Sequence, residues 1–209
     1  MGMSLGWTTE PGHCSAHTAE HTLVRASASA LVAGCTADEL YRSCLRDFGG
    51  WQVWKKDVAF ELQGGAHGTE VGGLRCVIFG ACCCGRSRSR GRLTRSASAR
   101  GEKWLLERLD VLDDNNRTIT YSGVNYGRWK TGLPSYPLSA SLFPGGFVDY
   151  SSTISIREVT SAPPSAFMEW SGEVWTEPAN AEAMQGFLAA FYSGNLQTLN
   201  QYFARVESR

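Results

Sequence analysis

An α+β fold, a curved antiparallel sheet wrapped around one long C-terminal helix with an apolar cavity between them, is what residues 22–206 of this 209-residue chain predict. Three observations carry it. Met184, Phe187, Leu188, Phe191, Tyr192, Leu199, Tyr202, Phe203 and Val206 recur at helical intervals, which makes Ala181 to Val206 an amphipathic helix with an aromatic stripe. The stretch before it reads mostly as short alternating segments, so the apolar surface available to that stripe is a sheet. The first segment presents only small side chains inward, which suits close approach by a helix.

Length and charge bound the rest. The chain is long enough for one domain with a sizeable core. Its 20 basic and 20 acidic residues cancel, but six of the arginines lie between Arg86 and Arg100, in a segment 80–101 that holds no acid. Without them fourteen basic residues face twenty acidic ones, a net charge of −6, so an acidic body carries one basic loop. No run approaches the ~18 apolar residues of a membrane helix, and no export signal opens the chain. A soluble, cytoplasmic protein without a membrane span is expected. Seven cysteines, an odd number, predict free thiols rather than a disulfide framework.

Residues 1–21 lack periodicity and read as a disordered leader. His13, His17 and His21 would share one face of a helix and could there hold zinc, but Pro11 and Gly12 argue against that helix, and no metal site is expected. Leu23 to Val32 alternates Val24, Ala26, Ala28, Ala30 and Val32 against Arg25, Ser27 and Ser29, a half-buried strand. Thr36 and Glu39 form a capping box ahead of Leu40, Tyr41, Cys44, Leu45 and Phe48 at helical spacing, ended by Gly49 and Gly50. Cys44 lies on the apolar face of that helix and reads as core. A short turn at 51–56 and a strand Val58 to Gln63 follow. Gly64, Gly65 and Gly68 mark a turn, after which Gly73 to Phe79 is a strand with Arg75 on the same side as Val77 and Phe79. An arginine there needs a partner or an open face.

Cys82, Cys83 and Cys84 then open an Arg/Ser-rich insert over about 80–101. It reads as a solvated excursion in preference to an RNA-contacting arm, because no aromatics interleave its arginines. Lys103 to Leu112 places Leu105, Glu107, Leu109 and Val111 on one face, and Asp113 to Asn116 turns the chain into a strand with Ile119 and Tyr121 inward. Residues 127–146 read as a lid-like loop. Val148, Tyr150, Ser152, Ile154 and Ile156 share a face of the next strand. The last strand, Phe167 to Trp175, buries either Met168, Trp170 and Val174 or Phe167, Glu169 and Trp175, the first set being the more hydrophobic. Pro178 and Asn180 start the final helix, in which Gly194 predicts a kink or a close backbone contact.

This order of elements is that of the helix-grip fold. The run from Glu107 to Asp114, Glu-Arg-Leu-Asp-Val-Leu-Asp-Asp, with Thr-Ile-Thr-Tyr-Ser around Tyr121 and Asp149-Tyr150-Ser, resembles the START/Bet v 1-like superfamily of polyketide cyclase-related proteins over residues 22–206. Two plant branches share these stretches, the abscisic acid receptors and lachrymatory factor synthase. Resemblance to the synthase implies Arg75, Glu107 and Tyr150 as active residues, from its Gly-x-x-Arg strand, its glutamate strand and its Asp-Tyr pair. The receptors' Ser-Gly-Leu-Pro gate would fall where this chain has its cysteine and arginine insert, and their His-Arg-Leu latch is absent from residues 127–146, so hormone reception is not expected.

Two functions follow as expectations. The first is a cofactor-free cyclase, isomerase or lyase acting on a small, largely apolar substrate, with Glu107 as acid-base group, Arg75 steadying negative charge and Tyr150 donating a hydrogen bond. The second is a lipid, isoprenoid or phenolic carrier or sensor in which those groups only orient the ligand. In either case the expected cavity lining is Val77 and Phe79 beside Arg75, Leu105 and Leu109 beside Glu107, Tyr121 and Ile154 on the next strands, Trp170, and Phe187 and Phe191 on the helix.

Overall fold

The computed structural model describes residues 21–64, 67–79, 103–124 and 149–207. The expected leader, the basic insert, the lid-like loop, Gly65 and Val148 lie outside these residues, apart from His21 at the leader's end. Seven strands, β1 (Thr22–Ala33), β2 (Val58–Leu62), β3 (Leu74–Phe79), β4 (Lys103–Asp113), β5 (Thr118–Gly123), β6 (Tyr150–Val159) and β7 (Ser165–Thr176), form one antiparallel sheet. Its order is β1-β7-β6-β5-β4-β3-β2. Between β1 and β2 come helix α1 (Ala37–Leu40), a π-helical turn (Tyr41–Leu45) and a 3-10 turn (Trp51–Val53). The chain ends in helix α2 (Ala181–Glu207), entered through a 3-10 turn at Pro178–Asn180.

The alternation of β1 buries Val24 and Val32 and turns Ala26, Ala28 and Ala30 against the helix. Small side chains there let α2 lie close, and Met184, Leu188, Tyr192, Leu196, Leu199 and Phe203 fill the space between. Val206 does not join them: it is 53% exposed, because the stripe outlasts the sheet by one turn. Gly194 makes no close contact, since a Cβ there would meet nothing within 4 Å, and the helix runs through it unbroken. On β7 the hydrophobic face, Met168, Trp170 and Val174, is the buried one.

At α1 the capping box forms as the sequence implies. Glu39 N donates to Thr36 Oγ1 at 3.2 Å, and Thr36 N donates to Glu39 Oε2 at 2.8 Å. Glu158 on β6 adds a third cap, accepting from Ala37 N at 3.0 Å. The helix does not continue as α: Arg46 N reaches back five residues to the Tyr41 carbonyl at 2.8 Å, a wider turn that still buries Tyr41, Cys44 and Leu45. Two tryptophans close its end. Trp51 Nε1 donates to the Leu45 carbonyl at 2.8 Å and Trp54 Nε1 to the Cys44 carbonyl at 2.9 Å, satisfying acceptors the helix leaves over.

The alternation of β4 breaks once. Leu109 pairs with Tyr121 but Val111 pairs with Thr120, so Asp110 is the extra residue of a β-bulge. The bulge flips the parity beyond it, leaving Val111 44% exposed instead of inward and turning Leu112 toward the core. At the hairpin tip Asp113 Oδ1 accepts from the amides of Asn115 and Asn116 at 2.9 and 3.0 Å, and Arg117 takes a φ of 50°.

Candidate functional site

Antiparallel register sets Arg75 of β3 directly opposite Glu107 of β4. The guanidinium donates to Glu107 Oε2 through Nε at 2.7 Å and Nη2 at 2.6 Å, and through Nη1 to the Phe48 carbonyl at 2.7 Å. Rings enclose its plane: the Cζ of Arg75 lies 3.6 Å from the Phe48 centroid, 3.9 Å from Trp51, 4.8 Å from Phe60 and 5.2 Å from Tyr121. A weakly hydrated, planar cation tolerates such a cage where an ammonium would not. Arg75 is 1% exposed and Glu107 5%. Burial pushes the Glu107 carboxyl above the ordinary carboxylate range, and the attraction and hydrogen bonds of Arg75 pull it back only in part.

Behind the pair lies a set of buried hydroxyls. Trp170 Nε1 donates to Ser152 Oγ at 2.9 Å and to Tyr121 Oη at 3.1 Å, and Ser152 Oγ donates to the Ser171 carbonyl at 2.9 Å. Tyr150 Oη and Tyr192 Oη are 3.4 Å apart. Burial raises the pKa of Tyr121, Tyr150 and Tyr192, so all three stay neutral and act as hydroxyls.

Between sheet and helix these groups border a narrow, mostly apolar cavity of about 20 Å³, room for about one ordered water. Arg75, Glu107 and Tyr150 all line it, as do Val77, Phe79, Leu105, Tyr121, Trp170, Phe187 and Phe191. Leu109 and Ile154 do not; both are fully buried in the core. Each stands further toward the β4–β5 hairpin, at the end of the sheet that α1 covers, and the cavity occupies the other end. Phe187 and Phe191 are only partly buried; they pack against the core and line this cavity as well. Among the described residues no group of three His, Cys, Asp or Glu could hold a metal ion.

A family model described as polyketide cyclase / dehydrase and lipid transport matches residues 24–204, nearly the whole described fold. The chain belongs to that family. A search of curated proteins finds no match. Solved structures share the fold at low identity. XoxI from Bacillus cereus is 21% identical with a TM-score of 0.58, over 88% of this chain and 98% of that one. Truncated norcoclaurine synthase from Thalictrum flavum is 10% identical with a TM-score of 0.56, over 90% and 96%. Ara h 8.0201 is 9% identical with a TM-score of 0.55, over 88% and 99%. These likenesses show the fold, an antiparallel sheet closed over by a long C-terminal helix.

In this member of the polyketide cyclase/dehydrase and lipid transport family, two polar wall residues escape a reading by periodicity. Lys55 leans over the Phe191 ring, 5.9 Å from its centroid, and reaches Asp57 Oδ1 at 3.5 Å. Asn195 sits within the α2 stripe, four residues after Phe191, and is 2% exposed. Its Nδ2 is the one buried side-chain polar atom among the described residues with no hydrogen-bond partner. A polar residue at a stripe position was the signal available in the sequence. Trp51, Val58 and Phe60 complete the wall; Trp51 lies in the 3-10 turn, where no period points inward, and Val58 and Phe60 are the buried alternate positions of β2.

Proposed function

We propose that the cavity takes a small, largely apolar molecule carrying an oxygen acceptor and catalyses cofactor-free proton transfer on it, as a cyclase, isomerase or lyase does. The observation that carries this reading is Glu107: a carboxyl with raised proton affinity, clamped by a caged arginine, on the wall of an apolar cavity. Glu107 is the acid-base group. Arg75 has its Nε, Nη1 and Nη2 donors committed to Glu107 and Phe48, so in this reading it positions the carboxylate instead of meeting developing charge on the substrate. Tyr150 and the partnerless Asn195 amide offer donors to a ligand carbonyl or hydroxyl. The space is small, so an organic ligand enters by displacing the partly buried rings of Phe187 and Phe191.

The family's description also covers lipid transport, and the predominance of apolar side chains in the lining favours a carrier as the second reading. The two separate on one experiment. Small molecules extracted from the purified protein are identified by mass spectrometry, then returned to fresh protein. Recovery of a chemically changed product supports catalysis; recovery of the same compound, unaltered at every time point, supports the carrier.

A further inference from the structure

The hydroxyls behind the cavity continue beyond it. Tyr150 is on the cavity wall, and its Oη lies 3.4 Å from Tyr192 Oη on α2. Tyr192 Oη in turn rests on the main chain of Gly172 in β7, where an added Cβ would overlap that oxygen and come 2.8 Å from the Ser151 carbonyl. Only glycine leaves this room. Tyr192 is fully buried, whereas Gly172 is half-exposed and lines an outer groove with Ala26, Ser171, Gln185 and Ala189. Two phenol oxygens therefore span from the cavity to the last main-chain layer before solvent.

We infer that Tyr150 and Tyr192 form a proton path between the cavity and the outer surface at Gly172. The inference rests on the proton-transfer reading of the cavity, since a carboxyl buried among rings needs a route by which its protonation is restored. The step balances without leaving charge on either phenol. As Tyr150 Oη gains a proton from the cavity side it gives its own to Tyr192 Oη, and Tyr192 passes its proton to a solvent oxygen. Each oxygen breaks one O–H bond as it makes one, and rotation of the two hydroxyls restores the start. Burial keeps both tyrosines protonated, as such a relay requires. Ser152, an alternative hydroxyl, donates to the Ser171 carbonyl, which has no proton to pass on, so that branch ends there.

Protein labelled with carbon-13 at tyrosine Cζ, dissolved in mixed light and heavy water, reports the exchange of each buried hydroxyl by its isotope shift, with no ligand present. Tyr192→Phe should slow exchange of the Tyr150 hydroxyl by about tenfold or more while amide protection across β6 is unchanged. Tyr150→Phe should leave Tyr192 exchange at the wild-type rate, because its outlet at Gly172 remains. Unchanged Tyr150 exchange in the first variant, or slowed Tyr192 exchange in the second, places solvent entry on the cavity side and overturns the path. Turnover does not enter this measurement, so its failure is distinct from failure of the catalytic reading, which product recovery decides.

Discussion

A guanidinium and a carboxylate taken out of water each cost several kcal/mol, and the wall of this cavity holds both. Their pairing offsets the cost only while both are present. Arg75→Ala leaves Glu107 buried without a counter-charge, and urea denaturation should show a loss of about 3–5 kcal/mol. Arg25→Ala breaks a 3.1 Å ion pair with Glu173 whose partners are mostly in water, and the same assay should show about 0–1 kcal/mol. Equal losses would mean the interior pair is far wetter than its geometry implies. Strand parity in the sequence already set Arg75 and Glu107 among inward apolar neighbours, and that much of the site was legible. The cage was not. Phe48, Trp51 and Phe60 reach Arg75 only through tertiary packing, and Asn195 is masked by the helical stripe it interrupts.

Elements here are held by a few long-range contacts whose loss is measurable. Leu199, fully buried on α2, should cost about 2–5 kcal/mol on truncation to alanine, while Gln197→Ala on the exposed face should stay within about 0.5 kcal/mol. Similar costs would mean the helix is rotated from its observed seat. The β4–β5 hairpin is tied to the α1 region by Asp114, which accepts from Arg46 Nε and Nη2 at 2.8 Å each and from Tyr41 Oη at 2.9 Å. These bonds, Arg46 first, hold Asp114 at about 2, below its ordinary 3.8. A depressed carboxylate stabilises above its unfolded pKa and loses that contribution as pH falls through the folded one. Melting temperature should therefore drop between pH 4 and 2, and Asp114→Asn should flatten that limb. An unchanged acid limb in the variant would assign it to other carboxylates. Periodicity, together with the capping box and the turn residues, located every described strand and both helices. It missed the π turn and the bulge at Asp110, because both are one-residue departures from a regular period that composition does not mark.

The molecule as a whole joins a covering helix, a sheet with small residues under that helix, and one end left incompletely filled. Leu109 and Ile154 show why the cavity's extent was not legible: inward parity says which face a residue occupies, but not which end of the sheet the core closes first. The family match supports a ligand-binding fold, and the chemistry proposed for it converges on a single carboxyl. Glu107→Gln tests that most directly, because it keeps shape and volume while removing the charge and the proton-accepting oxygen. The variant should melt lower than wild type, since Arg75 loses its counter-charge, and should still bind the small molecule extracted from the wild-type protein. At a temperature where the variant is folded, conversion of that molecule should be abolished. Conversion at the wild-type rate in Glu107→Gln would contradict the account and remove Glu107 as the acid-base group.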